Sequence, residues 1–313
     1  MKVVFLGNNN FSVSVLKSLL SSNHQVLCAF GNLDKQSGRG GKVVFSPLKT
    51  FCLQNNITYF GCQNISKDGF ENLEKYSPDA LITASFGQIL KKNVLDFAPY
   101  GVINVHTSLL PKYRGSCPSN WIVLNGEKQT GITIMKTAFK IDSGEIYAQK
   151  KIDVLEDETA GELLDRLSLI SGDFLVETLN GIESGEIVGQ PQKDEDATYY
   201  PMLNKEMGKI DFNKTAKQIQ NFCNGLNPWP IAFVDNGTTF LKVYKAKPIE
   251  NKWGVDLDAF SNGQVVISTS KSGLVVKCED GLVLLDMIQA PNGKVMPSKA
   301  YLNGKAIPVK EQF

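Results

Sequence analysis

Three polar residues in two short stretches have the side chains that acid–base and oxyanion chemistry needs. Asn104 and His106 are two residues apart in the mostly apolar run 102–106, so on a strand both point to the same face. Histidine moves protons near neutral pH, and an asparagine amide donates to a developing oxyanion without carrying charge. Asp142 lies in a glycine-containing turn. Beside His106, its carboxylate would fix the tautomer and stabilise the imidazolium.

Each of these features alone has a more ordinary structural explanation. A histidine near a strand end is more often a hydrogen-bonded structural residue, while Asn and Asp-Ser-Gly are common in turns. Catalysis is therefore inferred from Asn104, His106 and Asp142 taken together with the Ser-Leu-Leu-Pro segment at residues 108–111.

The apolar pattern places these residues at the edge of a sheet. Short apolar runs alternate with helical patterns, the runs being residues 3–6, 26–30, 80–84 and 102–106. Such runs are typical of parallel strands buried on both faces. Residues 1–188 are therefore predicted to form a doubly wound, mostly parallel, Rossmann-like α/β domain whose last helix covers residues 160–179. Ligands bind at the carboxyl ends of strands in such sheets.

The sequence changes character after residue 188. Residues 189–205 are polar and weakly patterned, which is typical of a linker. Residues 206–313 carry one short helical pattern and then closely spaced strands with turn residues between them, at residues 239–244, 264–268, 273–278 and 282–288. This spacing predicts a C-terminal β-barrel domain of the oligonucleotide-binding (OB) type.

Composition excludes several classes of protein. Of the 313 residues, 42% are hydrophobic and 21% charged, as in ordinary globular proteins. No run has the length of a membrane span or a signal-peptide core, so a cytoplasmic protein is expected. Six cysteines without a Cys-x-x-Cys pair, and two histidines, favour neither a zinc site nor a disulfide framework. The net charge of +1 carries no overall nucleic-acid signal, although residues 206–313 hold 13 lysines against 10 acidic residues.

Asn104-x-His106, the following Ser-Leu-Leu-Pro and the Asp142 turn together resemble the signature of the folate-dependent formyltransferases, and the resemblance covers essentially the whole chain. It implies formyl transfer from 10-formyltetrahydrofolate to an amine without a metal, with Asn104, His106 and Asp142 as catalytic residues. It also implies folate contacts from two stretches, namely Phe86, Gly87, Gln88, Ile89, Leu90, Ser108, Leu109, Leu110 and Pro111.

Two further segments resemble the branch of that family that formylates methionyl initiator tRNA. The basic, glycine-rich stretch 34–42 resembles its insertion loop, and Asn-Pro-Trp-Pro at 227–230 with residues 241–246 resembles the start of its C-terminal domain. The resemblance implies a role in translation initiation for a monomer that binds this tRNA and folate but no membrane. The expected tRNA contacts are Arg39, Lys42, Lys205, Lys209 and Lys245.

One departure and several alternatives accompany this interpretation. The family's first strand usually leads into a Gly-Thr-Pro turn near the ligand-binding end of the sheet, whereas this chain has Gly7-Asn8-Asn9-Asn10-Phe11 there. A sugar-nucleotide N-formyltransferase using the same folate donor is the nearest alternative, although the Gly-Arg-Gly loop favours tRNA. A phosphoribosylglycinamide formyltransferase would not need the second domain, and a formylfolate hydrolase would use water as the acceptor. A noncatalytic RNA-binding protein would have no use for all three polar residues.

Overall fold

The computed structural model describes residues 1–37 and 42–313, which form two compact units. Unit 1 comprises residues 1–115, 129–153 and 164–199, and unit 2 comprises residues 116–128, 154–163 and 200–313. These units follow spatial contacts and not chain order, so the boundaries at residues 188 and 205 stay a prediction. Arg39 lies outside the described residues.

The main sheet of unit 1 is mostly parallel, as the apolar runs predicted. The strands of this part of the chain are β1 (Lys2–Gly7), β2 (Gln25–Asn32), β3 (Lys35–Ser37), β4 (Lys42–Val44), β5 (Tyr59–Cys62), β6 (Ala80–Ala84), β7 (Val102–His106), β8 (Arg114–Gly115), β9 (Gln129–Lys136) and β10 (Ile146–Asp153). The strand order is β10-β9-β7-β6-β1-β2-β5. Pairing is parallel from β5 to β7 and antiparallel for β9 with β7 and with β10. The predicted α/β class is therefore confirmed.

Helices lie between or after these strands, and side-chain caps begin some of them. They are α1 (Asn10–Leu20), α2 (Pro47–Gln54), α3 (Phe70–Leu73), α4 (Lys92–Leu95), α5 (Pro118–Leu124) and α6 (Ala160–Ser184). Ser46 caps α2, whose first residue is a proline with its φ already suited to a helix. The interior of β1 and the whole of β6 are buried, which is why these strands read as largely apolar runs.

Asn8 and Asn9, which follow β1, stabilise the fold through side-chain hydrogen bonds. Asn9 caps α1 in a capping box with Ser12. The Asn8 side chain accepts from the backbone N–H of Asn32 at 2.7 Å and donates to the carbonyl oxygen of Phe86. Asn8 thus joins the carboxyl ends of β1, β2 and β6, which are neighbours in the sheet. A Gly-Thr-Pro turn has no amide side chain to make these bonds.

Unit 2 carries an antiparallel sheet with its own apolar core. From residue 199 onward the elements are β11 (Tyr199–Tyr200), α7 (Ala216–Gly225), β12 (Ala232–Asp235), β13 (Phe240–Ile249), β14 (Val265–Thr269), β15 (Gly273–Cys278), β16 (Gly281–Gln289), β17 (Met296–Pro297) and α8 (Ser298–Tyr301). The strand order is β12-β13-β16-β15-β14, and β17 pairs with β16. Thr215 and Gln218 form a capping box that begins α7.

Several elements differ from the sequence-based expectation. Strands β5 and β12 were not anticipated, since Tyr-Phe-Gly-Cys and Ala-Phe-Val-Asp are short and carry no clear period. Short 3₁₀ helices at Asp194–Asp196, Glu206–Gly208 and Leu257–Ala259 were also missed. The basic stretch 34–42 was read as a loop, but β3 and β4 pair as an antiparallel hairpin at its two ends.

Burial raises the pKa of several cysteine thiols. All six cysteines are free and five are buried. Desolvation raises the pKa of Cys28 to about 12 and the pKa of Cys52, Cys62 and Cys278 to about 11. Within residues 1–37 and 42–313, no three His, Cys, Asp or Glu residues are grouped to hold a metal. No helix of the same residues is long and apolar enough to cross a membrane.

Candidate active site

Asn104 is oriented by a hydroxyl on the neighbouring strand. The register of β6 and β7 places Thr83 opposite Asn104, and the Thr83 hydroxyl donates to Asn104 Oδ1 at 2.8 Å. Because this bond uses the amide oxygen, it leaves the NH₂ group for a ligand. An asparagine held in this way presents donors, which is what an oxyanion requires.

His106 ends β7 and is buried, with one ring nitrogen facing a backbone carbonyl. Its Nε2 lies 3.0 Å from the carbonyl oxygen of Tyr113. A carbonyl oxygen only accepts, so Nε2 carries a hydrogen and Nδ1 is the nitrogen that remains to take up a proton. Tyr113 has a φ of 62°, a left-handed conformation that costs energy for a non-glycine residue and aims its carbonyl at the ring.

Asp142 lies in a turn whose backbone is also left-handed, with a φ of 48°. Its Oδ2 accepts from the backbone N–H of Gly115 at 2.7 Å. The same Oδ2 lies 3.9 Å from His106 Nδ1. The turn therefore brings the carboxylate close to the ring nitrogen that does not face the Tyr113 carbonyl, although the two residues are 36 positions apart in the sequence.

The separation of 3.9 Å lies within ion-pair range and beyond hydrogen-bond range. Catalytic hydrogen bonds are commonly long before substrate binds and shorten in the reacting complex. The side chain of Asp142 is 19% exposed and that of His106 is 6% exposed. Both side chains are therefore largely shielded from solvent, and Asp142 is the more accessible of the two. This arrangement is suited to proton transfer beside a carbonyl group, with Asn104 on the same strand face.

The predicted folate residues after β6 divide into core and surface positions. Phe86 and Leu90 are buried in the apolar core of unit 1. Gln88 is fully engaged, accepting from the N–H of Ile65 at 2.7 Å and donating to Asn32 Oδ1 at 2.8 Å. Gly87 is exposed with a φ of 75°, and Ile89 is 83% exposed. The groups free to meet a ligand here are therefore backbone atoms and the Ile89 side chain.

The second predicted folate stretch is held rigidly by one threonine. Thr133 in β9, opposite His106, donates its hydroxyl to the carbonyl oxygen of Ser108 at 2.6 Å and accepts from the N–H of Leu110 at 3.2 Å. Ser108 and Leu110 are buried, whereas Leu109 and Pro111 are partly exposed. A segment fixed at two points next to His106 can define one wall of a site.

Thr83, Thr133 and Gln192 are supporting residues that the sequence analysis missed. Thr83 and Thr133 are polar side chains within buried strands, a pattern that could have marked them as hydrogen-bonding partners of the neighbouring strand. Gln192 lies in the predicted linker and donates to the carbonyl oxygens of Asp142 and Gly144. No local sequence signal identifies it.

Three of the predicted tRNA contacts are at least partly exposed. Lys42 begins β4. Lys205 and Lys209 are exposed, flanking a short 3₁₀ helix, and Lys245 is partly exposed in β13. The charge of Lys245 contributes to a lowered pKa of Glu162, whose main causes are hydrogen bonds from Thr159. Lys205, Lys209 and Lys245 are therefore accessible to an anionic ligand.

Replacing Thr83 with valine should lower kcat/KM for the acceptor about tenfold, because a freely rotating Asn104 amide presents its donors part of the time. The loss of one neutral hydrogen bond costs about 0.5–1.5 kcal/mol, and the upper end of that range corresponds to about tenfold. Steady-state kinetics measure the effect. Thr130→Val is the matched control, since Thr130 is also a buried strand residue but its hydroxyl has no partner. An equal fall in kcat/KM in both variants would contradict the assigned role of Thr83.

Comparisons with known proteins show which family the chain resembles. Family models described as "Formyl transferase" and "Formyl transferase, C-terminal domain" match residues 1–179 and 202–306. The chain is 40% identical over 309 residues to the methionyl-tRNA formyltransferase of Clostridium tetani, covering 98% of this chain and 97% of the relative. It is 37% identical over 308 residues to that of Clostridioides difficile, covering 98% of both.

A solved structure extends the likeness of fold. The N-formyltransferase from Helicobacter canadensis, in complex with folinic acid and dTDP-3-aminofucose, superposes with a TM-score of 0.66. It is 21% identical and the match covers 93% of this chain and 98% of that one.

Proposed function

The chain belongs to the formyl transferase family, and we propose that it transfers the formyl group of 10-formyltetrahydrofolate to the α-amine of methionyl initiator tRNA, in support of translation initiation. The relatives named methionyl-tRNA formyltransferase match this chain over nearly their whole length. The family models for the N-terminal and C-terminal domains both match it as well. The observation on which the proposal most depends is the pairing of His106 with Asp142 at 3.9 Å at the end of β7.

The proposed reaction is acyl transfer between two nitrogens. The bond from the amine to the formyl carbon forms, the bond from N10 of the folate to that carbon breaks, and one proton passes from the amine to N10. The Asn104 NH₂ group donates to the oxygen on which negative charge develops. His106 Nδ1 takes up and returns the proton, and Asp142 stabilises the imidazolium that forms in between.

The folate donor would be held mainly through backbone groups of two stretches. The proposed contacts are Phe86, Gly87, Gln88, Ile89, Leu90, Ser108, Leu109, Leu110 and Pro111. The exposure of Gly87 and Ile89 supports this, because space is open around both. The internal bonds of Gln88 restrict it to shaping the loop that carries these groups.

The tRNA would be bound by the basic stretch after β2 and by the C-terminal domain. The proposed contacts are Arg39, Lys42, Lys205, Lys209 and Lys245. The proposed domains are residues 1–188 and 206–313, joined by residues 189–205, and the antiparallel sheet of the second domain supports an OB-type barrel. A monomer in the cytoplasm is proposed, since the expected partner is the initiator tRNA of the translation machinery.

A side-by-side assay with two acceptors tests the function. Purified protein and 10-formyltetrahydrofolate are offered methionyl initiator tRNA or an amino-sugar nucleotide at equal concentration, and the formylated product is quantified. We expect product with the tRNA alone. Formylation of the sugar nucleotide alone would replace the proposal by its alternative, and release of formate without an acceptor would indicate a hydrolase.

Arg39→Ala should raise KM for methionyl-tRNA by roughly tenfold while leaving KM for the folate donor unchanged, since a lost phosphate contact weakens binding of the polyanion alone. The dependence of kcat/KM on salt concentration should also become shallower. Lys67→Ala is a control at an exposed lysine outside the proposed surface. An equal rise in both KM values would count against the assignment of Arg39.

A further inference from the structure

Residues 190–199, here termed the clamp segment, lie in the predicted linker. They are hydrogen-bonded both to the turn that carries Asp142 and to the backbone that faces His106. At its start, the backbone of Gln190 exchanges two hydrogen bonds of 2.8 Å with Ile146, the first residue of β10. Near its end, the Thr198 hydroxyl accepts a hydrogen bond from the backbone N–H of Tyr113, which follows the Ser108–Pro111 stretch. The clamp segment is therefore part of unit 1 and not a free connection.

Gln192 fixes the backbone of the Asp142 turn. Its Nε2 donates to the carbonyl oxygen of Asp142 at 2.9 Å and to that of Gly144 at 2.7 Å. Its Oε1 accepts from Arg114 Nε at 3.1 Å and from Arg114 Nη2 at 2.8 Å. Carbonyls only accept and a guanidinium only donates, so the amide has one possible orientation and all its hydrogen-bonding capacity is used.

Arg114 anchors Gln192 from inside the protein. The Arg114 side chain is fully buried, and its Nη1 donates to Asp194 Oδ1 at 2.8 Å and to the Tyr199 hydroxyl at 2.6 Å. Asp194 Oδ2 also binds Lys140 at 2.8 Å. Lys140 and Arg114 together lower the pKa of Asp194. The four hydrogen bonds from the Arg114 guanidinium all end on residues of the clamp segment, namely Gln192, Asp194 and Tyr199, which makes the clamp segment a rigid support.

The same segment also fixes the residue that holds His106. Thr198 Oγ1 accepts from the N–H of Tyr113 at 2.8 Å, and the Thr198 carbonyl accepts from the N–H of Arg114 at 2.9 Å. The carbonyl of Tyr113, in turn, faces His106 Nε2 at 3.0 Å. His106 and Asp142 are carried by different parts of the chain, and the clamp segment binds the backbone beside each of them.

We propose that Gln192 is a positioning residue that sets the distance between the Asp142 carboxylate and His106. Through its two N–H groups it prevents the left-handed Asp142 turn from relaxing away from the ring. Its loss would leave substrate binding intact and lower the rate of the chemical step. The kinetic part of this inference rests on the proposed function, whereas the structural part does not.

Gln192→Glu separates the two functions of the amide. The glutamate keeps an acceptor for Arg114, so the buried cation stays paired, but it has no N–H group for the two carbonyls. Gln190→Glu is the matched control, because it makes the same change two residues away at an exposed side chain whose bond is a long one, 3.4 Å to the carbonyl of Val188.

The backbone N–H of Gly115 reports the carboxylate position directly, because it donates to Asp142 Oδ2. In protein labelled with ¹⁵N-glycine, hydrogen exchange of this amide should be roughly tenfold faster in Gln192→Glu than in the wild type or Gln190→Glu. With methionyl-tRNA as acceptor, kcat should fall at least tenfold while both KM values stay within about twofold of the wild type.

Unchanged Gly115 exchange in Gln192→Glu would overturn the proposal, and so would an equal effect in Gln190→Glu. Faster exchange with an unchanged kcat would overturn the catalytic half of it. If the wild-type protein transfers no formyl group, the proposed function fails, and the exchange measurement still decides whether Gln192 holds Asp142 in place.

Discussion

Replacing Asp142 with asparagine is expected to lower kcat for formyl transfer by about 10²–10⁴-fold, the range found when a group that assists proton transfer is lost. Asparagine has the same size, and its Oδ1 still accepts from the N–H of Gly115, so the turn keeps its shape. What disappears is the negative charge 3.9 Å from His106 Nδ1. Rapid-quench measurement of a single turnover detects the change in the chemical step.

His106→Ala and Asn104→Ala should cause losses of similar size, because one removes the proton acceptor and the other an oxyanion donor worth on the order of 10²–10³-fold. The control is Glu145→Gln, which neutralises an exposed carboxylate in the same turn. Near-normal turnover of the Asp142, His106 and Asn104 variants would refute the catalytic assignment.

Replacing Gly144 with alanine is expected to lower kcat about a hundredfold, because a displacement of roughly 1 Å at a catalytic group has an effect of that order. A Cβ atom on Gly144 would collide with the carbonyl oxygen of Lys136, and it would stand 2.9 Å from the carbonyl carbon of that residue. A backbone carbonyl cannot swing aside as a side chain can, so the turn carrying Asp142 must move.

The same collision should destabilise the protein by about 1–3 kcal/mol, as overpacking generally does. Thermal unfolding measures this change beside the kinetics. Gly61→Ala is the matched control in the same unit, because its Cβ would meet no atom closer than 3.6 Å. A fully active and stable Gly144→Ala variant would show that the turn tolerates displacement and that its position does not limit the rate.

Much of unit 1 could be predicted from local sequence alone. The runs that became β6 and β7 were placed correctly to the residue, since strands buried on both faces admit few polar side chains. The same-face placement of Asn104 and His106 follows from their spacing of two on a strand. The pairing of Asp142 with His106 was expected from the resemblance of motifs, and the structure brings the two within ion-pair range.

Other features depend on contacts between residues far apart in the sequence. Residues 189–205 were read as a linker because charge and weak periodicity favour one. Yet Asp194 pairs with a buried arginine 80 positions earlier, and Gln192 holds a turn 50 positions earlier. Likewise, Asn8 was recognised as a departure from the family, and its bonds to Asn32 and Phe86 were visible only in the structure.

The sequence by itself determined the class of the main sheet, the strand that carries Asn104 and His106, and the chemistry those residues suit, because periodicity and residue type are local properties. Only the tertiary structure decided how Asp142 reaches His106 and which residues hold the two in place. The physical reason is that a hydrogen bond depends on the meeting of two groups within about 3 Å, and folding, not spacing along the chain, brings Gly115, Gln192 and Tyr113 to that distance.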